Sequence, residues 1–77
     1  MTVKLYGTLS RLVNDYNHQQ GLDVTMPAGE SVQDLLDYLS LGPERIGMIF
    51  VDGRPAKKAT LLNEGAQIKV FQPIFGG

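Results

Sequence analysis

Apolar and polar residues alternate in "TVKLYG", sending Val3 and Leu5 to one face and Lys4 and Tyr6 to the other, the period of a half-buried strand. In "TLSRLVNDY" the period changes. Leu9, Leu12, Val13 and Tyr16 recur at helical spacing, which predicts a short helix before a polar loop closing at Gly21. Alternation returns in "LDVTM", with Leu22, Val24 and Met26 on one side, and stops at Pro27. These two strands are expected to pair as a hairpin with an elaborated turn.

The strongest helical signal lies in "GESVQDLLDYLSLGP". Ser31 is placed to act as N-cap with Asp34 three residues on; Val32, Leu35, Leu36 and Leu39 form one apolar stripe; and Gly42-Pro43 is expected to stop the helix. Asp34 and Asp37 fall on the solvent side, where they read as a solubilising face rather than a paired acid and base. "GMIFVDG" then predicts a strand that turns at Asp52-Gly53, with a short extended piece from Arg54 to Ala56. In "TLLNEGAQIKVFQP" a turn at Asn63-Glu64-Gly65 leads to a last alternating strand that directs Ile68 and Val70 inward. Pro73 has no N–H to donate, so regular pairing should end near it. One main helix on one face of a mixed four- to five-stranded sheet, reached by a right-handed crossover, accounts for this order. That is the α+β, ubiquitin-like β-grasp architecture, with the first and last strands side by side at its centre. The domain is expected over residues 1–72, followed by a flexible Gly-Gly tail over residues 73–77.

Parity along the strands divides the sheet. If Ile49 and Val51 join Val3, Leu5, Ile68 and Val70 beneath the helix, then Lys4, Tyr6, Met48, Phe50, Gln67, Lys69 and Phe71 lie on the opposite face. No second helix is long enough to cover them. Three aromatics and a methionine on an open sheet face mark a partner site, assigned to Tyr6, Met48, Phe50, Lys69 and Phe71. The plainer alternative is that loops fold over them.

Composition narrows the chemistry. At 77 residues the chain makes one small core, and its 43% apolar and 19% charged content fits a soluble globular domain without a membrane span or signal peptide. A cytoplasmic location is the default expectation. Cysteine is absent, which removes disulfides, thiolate metal sites and cysteine nucleophiles together. The single histidine, His18, sits in the polar run "NDYNHQQG" and reads as a solvated side chain. No metal site or bound cofactor is expected. Residues 1–52 hold three basic and seven acidic side chains, whereas residues 53–77 hold four basic and one acidic. A net charge of −1 argues against broad nucleic-acid binding and leaves room for a local basic contact at Arg54, Lys57 and Lys58.

The sequence ends in "VFQPIFGG". Beyond the last strand, Pro73, Ile74, Phe75, Gly76 and Gly77 can reach at most roughly 17 Å when extended. Two residues without β-carbons could pass a channel too narrow for ordinary side chains, and would leave a terminal carboxylate unshielded.

"FVDG" ahead of a variable loop, "LLNEGAQIKVFQP" as the final turn and strand, and the "GG" ending together resemble the MoaD/ThiS family of sulfur carrier proteins. The resemblance covers essentially the whole chain and is most specific from Leu61 to Gly77. It implies that this protein is a carrier or cosubstrate rather than an enzyme. The carboxylate of Gly77 would be adenylated by an ATP-dependent, MoeB/ThiF-like adenylyltransferase, which uses the ATP, and converted to a thiocarboxylate that donates sulfur. Gly76, Phe75, Ile74 and Pro73 would thread into the partner. "QPIFGG" is similar to the "PPxxGG" ending of molybdopterin synthase small subunits, which implies a MoaE-like large subunit as acceptor in molybdenum or tungsten cofactor synthesis. Gln72 stands where that pattern has its first proline, and Phe75 where small residues are frequent. These departures keep a thiazole synthase in the thiamine pathway open as acceptor. Two other readings remain: a ubiquitin-like modifier that joins lysine amines, and a β-grasp binding module, for RNA bases for example, whose tail is incidental.

Overall fold

A computed structural model describes residues 1–74. Five strands form one mixed sheet: β1 (Thr2–Leu5), β2 (Leu22–Asp23), β3 (Ile49–Val51), β4 (Arg54–Pro55) and β5 (Gln67–Val70), in the spatial order β2-β1-β5-β3-β4. β1 and β5 run parallel at the centre, with Val3 opposite Ile68 and Leu5 opposite Val70; the other neighbours are antiparallel. The expected hairpin is present as the β1–β2 pair, lengthened by reciprocal backbone bonds between Met1 and Val24. β2 is only two residues long, yet Val24 is buried and Leu22 and Met26 pack on the core as the alternation required.

The helix α1 (Val32–Tyr38) lies on the face to which Val3, Leu5, Ile68 and Val70 point, and its Val32, Leu35 and Leu36 join them in a single buried cluster. Ser31 and Asp34 complete a capping box, the Ser31 side chain accepting from the Asp34 N–H and the Asp34 carboxylate accepting from the Ser31 N–H at 2.8 Å. The next orphan donors are met from the loop after β4. The N–H groups of Val32 and Gln33 donate to the carbonyls of Thr60 and Lys58, each at 2.9 Å.

Two expectations need correction. Helical spacing at Leu9, Leu12, Val13 and Tyr16 does not produce an α-helix. Gly7–Leu12 form a 3-10 helix, and Val13 is already extended. Of the four, Leu9 is fully buried, Val13 and Tyr16 pack half-buried against the core from the segment that follows, and Leu12 is exposed. Nor does Gly42-Pro43 end α1. The chain leaves the helix at Leu39 and Ser40, where Ser40 takes a left-handed φ of 58° and Leu41 N–H closes back on the Leu36 carbonyl at 2.9 Å. This is a Schellman-type close without glycine, and burial of Leu41 compensates the strain. At Asp52-Gly53 both residues have positive φ, 51° and 82°, the geometry that lets a two-residue turn follow the twist of β3 and β4. Among the described residues, no helix is long and apolar enough to cross a membrane.

Candidate functional site: an aromatic groove at the base of the tail

The sheet face opposite α1 is where the parity argument put it. Lys4, Lys69 and Phe50 stand in one row across β1, β5 and β3, and Tyr6, Phe71 and Met48 form the row above. Tyr6 and Phe71 stack with ring centroids 4.3 Å apart and 17° between planes, and Phe50 meets Phe71 edge-on at 5.6 Å. Offset stacking and T-shaped contacts are the arrangements that aromatic quadrupoles favour. The rings are half-buried, while Met48 is 51% exposed. Together with Gly47, Gln72, Pro73 and Ile74 they line an open groove of about 590 Å³.

The expected partner residues Tyr6, Met48, Phe50, Lys69 and Phe71 are therefore brought together. Lys69 borders the groove beside Lys4, with which it is in register on the neighbouring strand. Two like charges this close make the rim positive, which favours an acidic counterpart. Arg54 does not belong to this rim. It pairs with Val51 and so points to the other side of the sheet, whereas Lys57 and Lys58 are exposed on the loop that caps α1.

The alternative of loops folding over the face is met at one end only. His18 remains exposed, but its ring abuts Tyr6 edge-on at 4.7 Å, and its Nδ1 lies 3.2 Å from the Tyr16 hydroxyl. That hydroxyl accepts from the Leu5 N–H at 2.7 Å, on the edge of β1 that β2 is too short to reach. His18 is thus exposed, as a solvated side chain is, and in addition touches the edge of the aromatic face through Tyr6. Its place in a polar run carried no signal of this, because the contact depends on where the loop returns.

At the other end the chain leaves the sheet. Phe71 extends β5 by one residue, its N–H donating to the Met48 carbonyl at 2.9 Å and its own carbonyl accepting from Gly47 N–H at 2.7 Å. Pairing then stops ahead of Pro73, as its missing N–H required. Gln72 turns toward the start of the 3-10 helix, where its Oε1 accepts from both the N–H and the hydroxyl of Thr8, each at 2.7 Å. Sequence reasoning treated Gln72 only as a departure from a motif and missed this pairing of residues 64 positions apart. Ile74 is 93% exposed, and the expectations for Phe75, Gly76 and Gly77 lie outside the described residues.

Among the described residues there is no group of three or more His, Cys, Asp or Glu side chains arranged to hold a metal ion. The carboxyl groups with displaced acidity sit away from the groove, at the start of α1. Bonds from the Ser31 backbone, Glu30 and the Ser31 hydroxyl hold Asp34 below its ordinary value, and the shared contact and charge of Asp34 raise Glu30.

A family model described as the ThiS family matches residues 3–77. Among solved structures, that of SAMP1 from Haloferax volcanii is similar in fold, with a TM-score of 0.74 at 20% sequence identity, covering 100% of this chain and 98% of that one. Among proteins with curated descriptions, none matches in sequence.

Proposed function

The chain belongs to the ThiS family of ubiquitin-like β-grasp sulfur carriers, and from that premise we propose that it carries sulfur as a thiocarboxylate on Gly77. The observation that carries the reading is the reach of the family match, which runs through the "GG" ending itself and not only through the β-grasp body. The absence of cysteine from the sequence supports it, because sulfur must then ride on something other than a side-chain thiolate.

On this reading the chemistry belongs to the tail and the recognition to the sheet. An activating enzyme brings ATP; a Gly77 carboxylate oxygen attacks the α-phosphorus and pyrophosphate leaves. The resulting acyl adenylate is a mixed anhydride. Hydrosulfide adds at the acyl carbon and AMP leaves with the bridging oxygen, giving a thiocarboxylate, which is ionised and a soft nucleophile toward an acceptor. The protein is a cosubstrate, and its contribution is to present the tail. The groove of Tyr6, Met48, Phe50 and Phe71, with Lys69 on its rim, is the surface against which the activating enzyme and the acceptor dock. Pro73, Ile74, Phe75 and Gly76 connect that surface to the reacting carboxylate.

The acceptor we favour is a molybdopterin synthase large subunit, on the strength of the proline-containing "QPIFGG" ending. A thiazole synthase is the competing acceptor. Incubating the protein with its cognate activating enzyme, ATP and sulfide should raise its intact mass by the difference between one sulfur and one oxygen atom. The mass of the protein from its source must first place Gly77 at the terminus. No mass change with an enzyme that releases pyrophosphate on its own substrate would refute the carrier reading. Supplying the thiocarboxylate form to each acceptor with its precursor assigns the branch. A Gly77 isopeptide bond to lysines in lysate would identify the modifier reading instead.

A further inference from the structure

Gln72 is half-buried at the exit of the tail, between the aromatic groove and the start of the 3-10 helix. Its Oε1 accepts two bonds from Thr8 at 2.7 Å, one from the backbone N–H and one from the hydroxyl. Thr8 N–H belongs to the first turn of the 3-10 helix, whose preceding residue, Tyr6, provides no side-chain cap. The amide oxygen of Gln72 is thus a cap supplied from the far end of the sequence.

Close approach on both sides makes this possible. A β-carbon on Gly7, which has φ +66°, would fall 2.5 Å from Cδ and Oε1 of Gln72. One on Gly47 would fall 2.6 Å from the Gln72 backbone oxygen and 2.9 Å from the Pro73 Cα. Two positions without side chains therefore flank the segment, one against the Gln72 side chain and one against its backbone. Pro73 next restricts its own φ. Three independent constraints fall on consecutive residues just before Ile74 projects into solvent.

We infer that Gln72 is a positioning residue, which through its bond to Thr8 fixes the direction in which the tail leaves the sheet beside the aromatic groove. A partner that must hold the groove and the tail at once then meets a tail already aimed. The ordering of the residue at the exit is completed in the free protein instead of during docking. The consequence for catalysis rests on the carrier reading; the latch itself does not.

The test compares the parent with Gln72→Leu, which removes the acceptor, and Gln72→Glu, which retains an acceptor oxygen. Heteronuclear 15N relaxation on the free protein reads the latch. Expected are a fall in the order parameter of Ile74 and faster exchange of the Thr8 amide in Gln72→Leu, and near-parent values in Gln72→Glu. Thr8→Val, which removes only the hydroxyl, should lie between. In adenylation assays with the cognate activating enzyme, Gln72→Leu should raise KM about fivefold with kcat little changed, the factor expected for ordering roughly one more residue on binding. Gln72→Glu should restore KM. Ile74 and Thr8 no more mobile in Gln72→Leu than in the parent would overturn the latch. A mobile Ile74 with unchanged KM would overturn its role in docking. Failure of the parent itself to be adenylated defeats the carrier reading, while the relaxation data still decide whether the latch exists.

Discussion

Replacing Gly47 with alanine tests whether the base of the tail truly lies against the start of β3. Gly47 has no left-handed φ, so alanine fits its backbone, and by restricting the unfolded chain it should stabilise the protein by about 0.4–1 kcal/mol. Opposing this, the new β-carbon meets the Gln72 carbonyl oxygen at 2.6 Å, its carbon at 2.9 Å and Pro73 Cα at 2.9 Å. These are backbone atoms and cannot rotate aside. Overpacking of this kind costs about 1–3 kcal/mol, so the net change is a loss of roughly 1–2 kcal/mol. At about 2.1 cal/mol/K of unfolding entropy per residue, a domain of this length loses about 6 °C of Tm per kcal/mol, and Gly47→Ala should melt about 6–12 °C below the parent. Thermal unfolding by circular dichroism measures this, and amide exchange locates it. The bonds from Gly47 N–H to Phe71 and from Phe71 N–H to Met48 should lose protection, because the chain at residues 71–73 must shift. Gly53→Ala is the control: its φ of 82° makes alanine strained in open space, so it should lower Tm without selectively exposing the Phe71 amide. A Gly47→Ala protein that melts at or above the parent temperature with Phe71 still protected would refute the packing of the tail base against β3.

Ser31→Ala should remove the capping box of α1 and lower stability by about 1 kcal/mol, read as a Tm fall of several degrees; an unchanged Tm would show that the loop carbonyls of Lys58 and Thr60 hold the helix start alone. Phe50→Ala and Phe71→Ala should each weaken binding to the activating enzyme at least tenfold in calorimetry, as expected of aromatic anchors in an interface, whereas equal affinity would remove the groove from the docking surface. Around α1 the pH dependence has two opposed parts. Asp34, held low in the fold, contributes stability above the ordinary carboxylate range that is lost as pH falls; Glu30, held high, contributes stability at low pH that is lost as pH rises through its raised value. Glu30→Gln should therefore melt increasingly above the parent as pH rises from about 3 to about 7, and a constant difference across that range would contradict the contact between Glu30 and Asp34.

What could be read from the sequence was whatever depended on period and parity. Alternation alone sends Val3, Leu5, Ile68 and Val70 inward and Tyr6, Phe50 and Phe71 outward, and the aromatic groove follows from that division. Ser31 and Asp34 announced a helix start because a capping box is a local device, three residues apart. Features that failed depend on competition between local choices or on distant partners. Leu9 to Tyr16 have helical spacing but follow a glycine at positive φ, and the segment tightens into a 3-10 helix whose first turn is capped by Gln72. Ser40 ends α1 because Leu41 can be buried, which outweighs the absence of glycine there. The Thr8 bond to Gln72 and the His18 contact with Tyr6 have no sequence signature, since each joins segments that meet only once the sheet has formed.

The parallel pairing of β1 with β5 joins residues 2–5 to residues 67–70, and β5 also supplies the neighbour for β3. Until that last strand is in place, β1–β2 and β3–β4 are two separate hairpins, and neither short pair is stable alone. Closing so long a loop makes the central pairing a late and cooperative event in folding. A chain interrupted anywhere before residue 70 therefore has no sheet, no groove and no exit for a tail. Because β5 spans Gln67–Val70, the aromatic face forms only in chains that extend through that strand, and its rings are set in place by the same event that closes the core.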